Sequence, residues 1–264
     1  MVTSRLLVFA RYPRAGQVKT RLVPSLDPES AMRLYRAFLL DSLDAYALLR
    51  PAIEPLVYVA DPADLRGMKE LVKGESGSRN YHLGMEGKGS EGSAGETGSA
   101  RAPIDVRPQT GAGLGERLAS AFGEAFADGA PAACAVGTDH PTLPSQYIRD
   151  AFAALASHDL VLGPADDGGY YLIGMRAPHP EIFEGMPYST DGLHAATRTA
   201  ARLNGLNLFE LPRWYDVDDA ASLLRLDADR ALLPAESRTR AMLAVLEPRL
   251  AVLREAAGLE GADE

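Results

Sequence analysis

Four short stretches of this 264-residue chain concentrate side chains able to do chemistry on charged ligands. In AACAVGTDHPTLP (132–144) an apolar run ends at Asp139 and is broken by Pro141 and Pro144. A carboxylate at the open end of a buried strand is costly unless a metal ion, a helix N-terminus or a surface turn meets its charge. Mg²⁺ and Mn²⁺ prefer oxygen ligands and often share them with phosphates, which makes Asp139 a candidate metal ligand; a cap on the following turn is the alternative. His140 reads as a hydrogen-bonding residue, since Mg²⁺ does not favour nitrogen. In WYDVDDAASL (214–223), Asp216 and Asp218 are two apart and point the same way in an extended segment, so either could add a metal oxygen, while Asp219 reads as a helix cap. In GPADDGGYYLIGM (163–175), Asp166 and Asp167 precede Gly168, Gly169, Tyr170 and Tyr171. This is either a plain Asp-Gly hairpin or a turn whose carboxylate binds hydroxyls or takes a proton, with a tyrosine as a stacking wall. Finally, Arg11, Arg14, Lys19 and Arg21 surround one glycine, a set suited to phosphate oxygens or, alternatively, a solvated basic loop.

Fainter signals accompany these. Gly113 and Gly115 in GAGLGERL (111–118) would let backbone approach a flat base or ribose. PYSTDGLH (187–194) groups Ser189, Thr190, Asp191 and His194, most simply as a helix cap. The phosphate-binding Gly-x-x-x-x-Gly-Lys-Ser/Thr pattern, Cys-x-x-Cys, His-Glu-x-x-His and a strand-borne Gly-x-Ser-x-Gly are all absent from the sequence.

The elements that must position these residues follow from periodicity. RLLVFA (5–10), PLVYVA (55–60), IDVRPQ (104–109), PAACAVG and GLNLFELP read as strands, and DLVLGPADDGGYYLIGM as two strands about a turn. A helix capped by Asp27 carries Met32, Tyr35, Leu39, Leu43 and Tyr46 at spacings of three and four. Further helices are expected over 62–73, after GAGLG, from Pro144 to about 156, over 191–203, after Asp219, and through the C-terminal stretch, which Pro248 should interrupt. Strands alternating with helices predict an α/β fold: a three-layer αβα sandwich on a mostly parallel mixed sheet with one hairpin. Residues 74–102 are rich in glycine, serine and charge, and are expected to form a disordered insertion. The domain is expected to span 1–230, with a helical tail at 231–264.

Composition bounds the partners. The net charge of −9 disfavours an extended nucleic-acid-binding face. The single cysteine, Cys134, lies in an apolar run and reads as a buried thiol. No stretch approaches a membrane span, and the expected location is the cytoplasm. Oligomeric state is left open.

In open α/β sheets ligands bind beyond the carboxyl ends of the strands. With the marked stretches placed there, the chain resembles a bacterial family of GT-A-type glycosyltransferases, formerly of unknown function, some linked to arsenosugar biosynthesis. FARYPRAGQVKTRL, GAGLGERL, GTDHPTLP, GPADDGGYYLIGM and DVDDAASL carry the resemblance, in the family's order. It departs at Tyr188-Ser189-Thr190, where Trp-Ser-Thr is usual, and in lacking Thr-Pro-Glu-Asp after the late motif. The resemblance implies a nucleotide-diphospho-sugar transferase fold, a nucleotide-sugar donor, a small-molecule acceptor, and Mg²⁺ or Mn²⁺. It carries Asp139 to the metal position, Lys19 and Arg21 to the phosphates and Asp218 to the late aspartate; the reading of the residues adds Asp218 and Asp216 as metal oxygens and Arg11, Gly113 and Gly115 at the nucleotide. The resemblance matches Asp167, Gly168, Gly169 and Tyr170 to the family's Asp-Gly-Gly-Tyr; the reading of the residues puts Asp166, Gly168, Gly169 and Tyr170 at the sugar or acceptor, with Asp167 or Asp191 as base. A guanylyltransferase-like nucleotidyltransferase and a non-catalytic nucleotide-binding module are the alternatives. If a metal alone met its charge, Asp139→Asn would leave the ligand-free protein at least as stable.

Overall fold

The computed structural model describes residues 3–75 and 103–259. Among these, seven strands form one sheet: β1 (Ser4–Ala10), β2 (Ile53–Val59), β3 (Asp105–Pro108), β4 (Ala133–Val136), β5 (Leu160–Pro164), β6 (Tyr170–Met175) and β7 (Leu208–Glu210). Their order is β3-β2-β1-β4-β6-β5-β7. All neighbours run parallel except β6, which is antiparallel to both β4 and β5. The mixed, mostly parallel sheet and its hairpin are as the sequence predicts. Because only β6 is reversed, the carboxyl ends of the other strands and the β5–β6 turn all open on one edge.

Alternation along β1 divides the core. Leu6 and Val8 face one layer, with Val57, Cys134, Val136 and Leu172 beside them. Leu7 faces the other, with Leu56, Tyr58, Ala135 and Ile173. Helices α2 (Leu65–Glu75) and α4 (Ser145–Ala154) cover the first face, and α3 (Leu114–Ala127) and α5 (Leu193–Leu203) the second. Helix α1 (Pro28–Ala47) starts where Asp27 accepts a hydrogen bond from Ser30 N at 2.9 Å, with proline in the first turn. Tyr35, Leu39, Leu43 and Tyr46 are buried, while Met32 is half-buried.

The C-terminal stretch is two helices, α7 (Arg238–Val245) and α8 (Glu247–Ala256), with Pro248 in the first turn of α8. Met242, Leu243, Leu246 and Leu250 share a third apolar cluster with Leu34 and Phe38 of α1 and with Leu223 and Leu226 of α6 (Ala220–Ala228). Arg238 ties α7 to Asp41 and Asp44 of α1. These helices therefore pack on the body of the domain. Residues 74 and 75 close α2, two positions that the sequence assigns to the insertion; the rest of that reading, 76–102, lies outside the described residues. No helix among the described residues is long and apolar enough to cross a membrane.

Candidate functional site

At the end of β4 the chain passes through Gly137 and Thr138 to Asp139. The backbone of Asp139 accepts a hydrogen bond from Val217 N at 2.9 Å, which pins the Asp216–Asp218 segment beside it. Lys19 reaches into the gap between the two stretches. Its Nζ is 2.5 Å from Asp139 Oδ1 and 2.8 Å from Asp218 Oδ1. The lysine side chain is 3% exposed, against 40% for Asp139 and 36% for Asp218. The rings of Tyr35 and Phe38 flank the ammonium at 6.0 and 5.8 Å. Asp139 Oδ1 is itself buried, so the exposure of this carboxylate lies on the rest of the side chain. The charge at the strand end is thus met, in the protein alone, by an ammonium that the sequence reading assigns to phosphates.

Ionisation follows the geometry. Burial alone would lower the Lys19 pKa, but Asp139 and Asp218 outweigh it and raise it. Burial would raise Asp139, but Lys19, with help from His140 and Arg11, holds it below the ordinary carboxylate range. Asp216 moves the other way: burial and the neighbouring Asp167 and Asp218 raise it, against a lowering by His140. Asp216 therefore lies near Asp167 and Asp218, so these carboxylates act on one another beside the Lys19 pair. Arg21 stands 3.8 Å from Asp218, with its side chain 73% exposed. His140 is buried, its Nδ1 3.1 Å from the Tyr215 carbonyl, a structural hydrogen bond as expected.

Tyr35 joins the two sides of the crevice. Its hydroxyl accepts from Arg11 N at 2.9 Å and from Thr138 Oγ1 at 3.2 Å. Burial, with Asp139 nearby, pushes this hydroxyl up to about 12, so it stays neutral. Periodicity identifies Tyr35 only as a core residue of α1; nothing local in the sequence marks its second task.

The β5–β6 turn is locked to the start of α5. Gly168 has φ +86°, and a Cβ there would overlap the Asp191 carbonyl. His194 N donates to Gly168 O at 2.9 Å. Asp167 and Asp191 are thereby held on adjoining loops, and α5 begins at Leu193, two residues after the sequence-predicted start. Asp167 Oδ1 accepts from Gly169 N at 2.8 Å. Asp166 is paired with Arg225 at 2.6 Å, and this guanidinium stacks 3.8 Å from the Tyr215 ring centroid. Sequence reasoning missed Arg225, a helix residue with no motif around it. Tyr170 packs with Tyr188 on one face of the sheet. Tyr171 lies buried on the other and donates to Pro212 O at 3.0 Å. Tyr171 is thus a core residue and not a stacking wall.

Arg11 lines a cavity of about 400 Å³ at the ends of β1 and β2, with Tyr12, Gln17, Asp61 and Arg117. Arg14 is engaged by Asp64. Gly113 and Gly115 open on a different cavity, of about 490 Å³, with Phe183 and Tyr188. A Cβ on Gly115 would lie 2.7 Å from Phe183 O and 2.8 Å from the Tyr188 ring. Close packing against residues 183–188 explains this glycine, and neither glycine shares the cavity of Arg11.

Among the described residues no three His, Cys, Asp or Glu side chains converge closely enough to hold a metal ion by themselves. Mg²⁺ commonly takes one or two carboxylates and completes its shell with water and phosphate oxygens. Asp139 and Asp218, two partly exposed carboxylates brought together on Lys19, fit that second pattern.

Residues 76–190, which include Asp139 and the 166–170 turn, match a family described as "Uncharacterized protein conserved in bacteria (DUF2064)". A solved structure named "putative nucleotide-diphospho-sugar transferase" from Desulfovibrio desulfuricans G20 is 28% identical, with a TM-score of 0.79, over 96% of this chain and 99% of its own. A cytidylyltransferase from Leptospira borgpetersenii serovar Hardjo-bovis (strain JB197) is 12% identical with a TM-score of 0.50, over 96% and 97% of the two chains. A 4-diphosphocytidyl-2C-methyl-D-erythritol synthase from Anaerococcus prevotii DSM 20548 is 6% identical with a TM-score of 0.51, over 87% and 99%. The last two share the fold alone. No curated protein matches the chain. The partial match to the uncharacterized bacterial family and the likeness in fold to a nucleotide-diphospho-sugar transferase agree with the sequence resemblance.

Proposed function

From the premise of that family and that fold, we propose that the protein is a metal-assisted glycosyltransferase using a nucleotide-diphosphate sugar and a small-molecule acceptor. The observation that carries this reading is the crevice at the carboxyl edge of the sheet. There the buried Lys19 ammonium meets the partly exposed Asp139 and Asp218 carboxylates, Arg21 stands 3.8 Å from Asp218, and Arg11 lines a cavity of about 400 Å³. Arg11, Lys19 and Arg21 would hold the diphosphate and offset the charge that grows on it as the sugar C–O bond breaks. Asp139 and Asp218, with Asp216 close by, would hold Mg²⁺ or Mn²⁺, which supplies Lewis-acid stabilisation of the leaving phosphate when bound. Asp191 or Asp167 would take the proton of the acceptor hydroxyl as its oxygen bonds to the sugar. Gly168 and Gly169 would keep that turn close to the acceptor. The loop after β1 has a single glycine, Gly16, and no Gly-x-Gly-x-Arg pattern, although that spacing occurs at Gly113-Leu114-Gly115-Glu116-Arg117; its lack in the first loop favours glycosyl over nucleotidyl transfer.

A thermal-shift panel of nucleoside diphosphates, triphosphates and nucleotide sugars, with and without Mn²⁺, tests the reading. A ligand at about a hundred times its dissociation constant adds roughly 2.7 kcal/mol of stability. A nucleotide sugar or its diphosphate should raise the melting midpoint, and more so with Mn²⁺. Turnover restricted to a nucleoside triphosphate and a phosphorylated acceptor, with pyrophosphate release, would replace the proposal by nucleotidyl transfer. No response to any nucleotide would leave neither.

A further inference from the structure

A lysine reserved for phosphates should stand open, as Arg11 and Arg21 do. Lys19 is instead closed in, 3% exposed, across Asp139 and Asp218. Its backbone is left-handed, with φ 50°, a conformation that side chains other than glycine seldom adopt. The buried Val18 and Leu22 on either side hold it there. The loop thus tolerates strain to set an ammonium between two carboxylates. We propose that Lys19 is an internal cation that keeps a divalent ion off Asp139 and Asp218 until phosphate oxygens draw the ammonium away.

This inference rests on the reading of Asp139 and Asp218 as metal ligands. An ammonium and a divalent cation that share the same oxygens repel each other, and the two carboxylates cannot be fully engaged by both. A diphosphate offers Lys19 a second anionic partner. Once the ammonium turns to it, carboxylate oxygens are released to the ion. Metal and diphosphate then strengthen each other's binding through Lys19, a reciprocal coupling that adds to any contact between them.

Mn²⁺ titrations without nucleotide test this. Lys19→Met should bind Mn²⁺ at least tenfold more tightly than wild type, and Lys19→Arg, which keeps the charge, should bind it as weakly as wild type. Unchanged or weaker Mn²⁺ binding by a folded Lys19→Met would overturn the inference. A second measurement needs no variant. The Lys19 Nζ resonance of ¹⁵N-lysine-labelled wild type should be unmoved by Mg²⁺ alone and should shift with Mg²⁺ and pyrophosphate together; a shift with Mg²⁺ alone would overturn it too. If Mn²⁺ strengthens nucleoside diphosphate binding in wild type while Lys19→Met gains no Mn²⁺ affinity, the proposed function stands and this inference fails. If Mn²⁺ alters binding of no nucleotide, the metal-assisted reading fails and takes this inference with it.

Discussion

At the scale of single residues, the Lys19 contact reverses an expectation about Asp139. With the carboxylate taken as uncompensated, Asp139→Asn should cost nothing. With Lys19 Nζ 2.5 Å away, the variant leaves a buried ammonium with one anionic partner in place of two. Removing one member of a buried pair costs about 3–5 kcal/mol; the exposure of Asp139 and the amide oxygen that remains reduce this to about 1–2 kcal/mol. Denaturant unfolding of ligand-free Asp139→Asn should show that loss, and Mn²⁺ should no longer sharpen nucleotide binding. Equal stability would mean that the pair contributes nothing. The contact was not legible in the sequence because Lys19 and Asp218 are 199 positions apart. Residue type and local spacing give a lysine in a basic loop; only the sheet order brings that loop against the ends of β4 and the late Asp-Val-Asp segment.

At the scale of elements, strands and helices were legible because their patterns are local: Asp27 and Asp219 cap where expected, and Pro248 separates α7 from α8. The two tyrosines were not separated, although neighbours on a strand face opposite sides. In YYLIGM both faces are largely buried, so the apolar run is continuous and shows no alternation. The 166–169 turn was legible as a turn, but its fit against α5 was not, since that depends on the missing Cβ of Gly168. Gly168→Ala should therefore do more than strain a hairpin. A positive φ on alanine costs of order 1–3 kcal/mol, and here the methyl also displaces the Asp191 backbone. The expected result is a folded protein with a lower unfolding midpoint, nucleotide binding retained, and acceptor turnover lost. Normal turnover would remove Asp167 and Asp191 from the chemistry.

At the scale of the whole molecule, stability should fall on the acid side. Asp159 is held low by Asn207 N and Arg176, Asp219 by Ser222, Asp139 by Lys19 and Asp27 by Ser30. A folded-state pKa below the unfolded one gives stabilisation that is present above the unfolded value and disappears as pH falls through the folded one. Asp216, raised by burial and its acidic neighbours, has the opposite sign: its cost is felt near neutrality and relieved on protonation. The depressed groups outnumber it, so the melting temperature should drop below about pH 4, the ordinary carboxylate range. Asp159→Asn should flatten part of that limb; an unchanged melting temperature through this range would contradict the assignment. The two-sided burial of α1 has a consequence for synthesis. One side rests on the sheet, but the side bearing Leu34 and Phe38 is covered by α6, α7 and α8. A chain growing from its N-terminus makes α1 early and its cover only after residue 220. Through most of that interval only Leu22 and Leu26 of that cluster are available to the apolar helix face within the nascent polypeptide. Chains stalled before residue 220 should therefore bind a holdase more than the full chain does, measurable by crosslinking on stalled ribosomes.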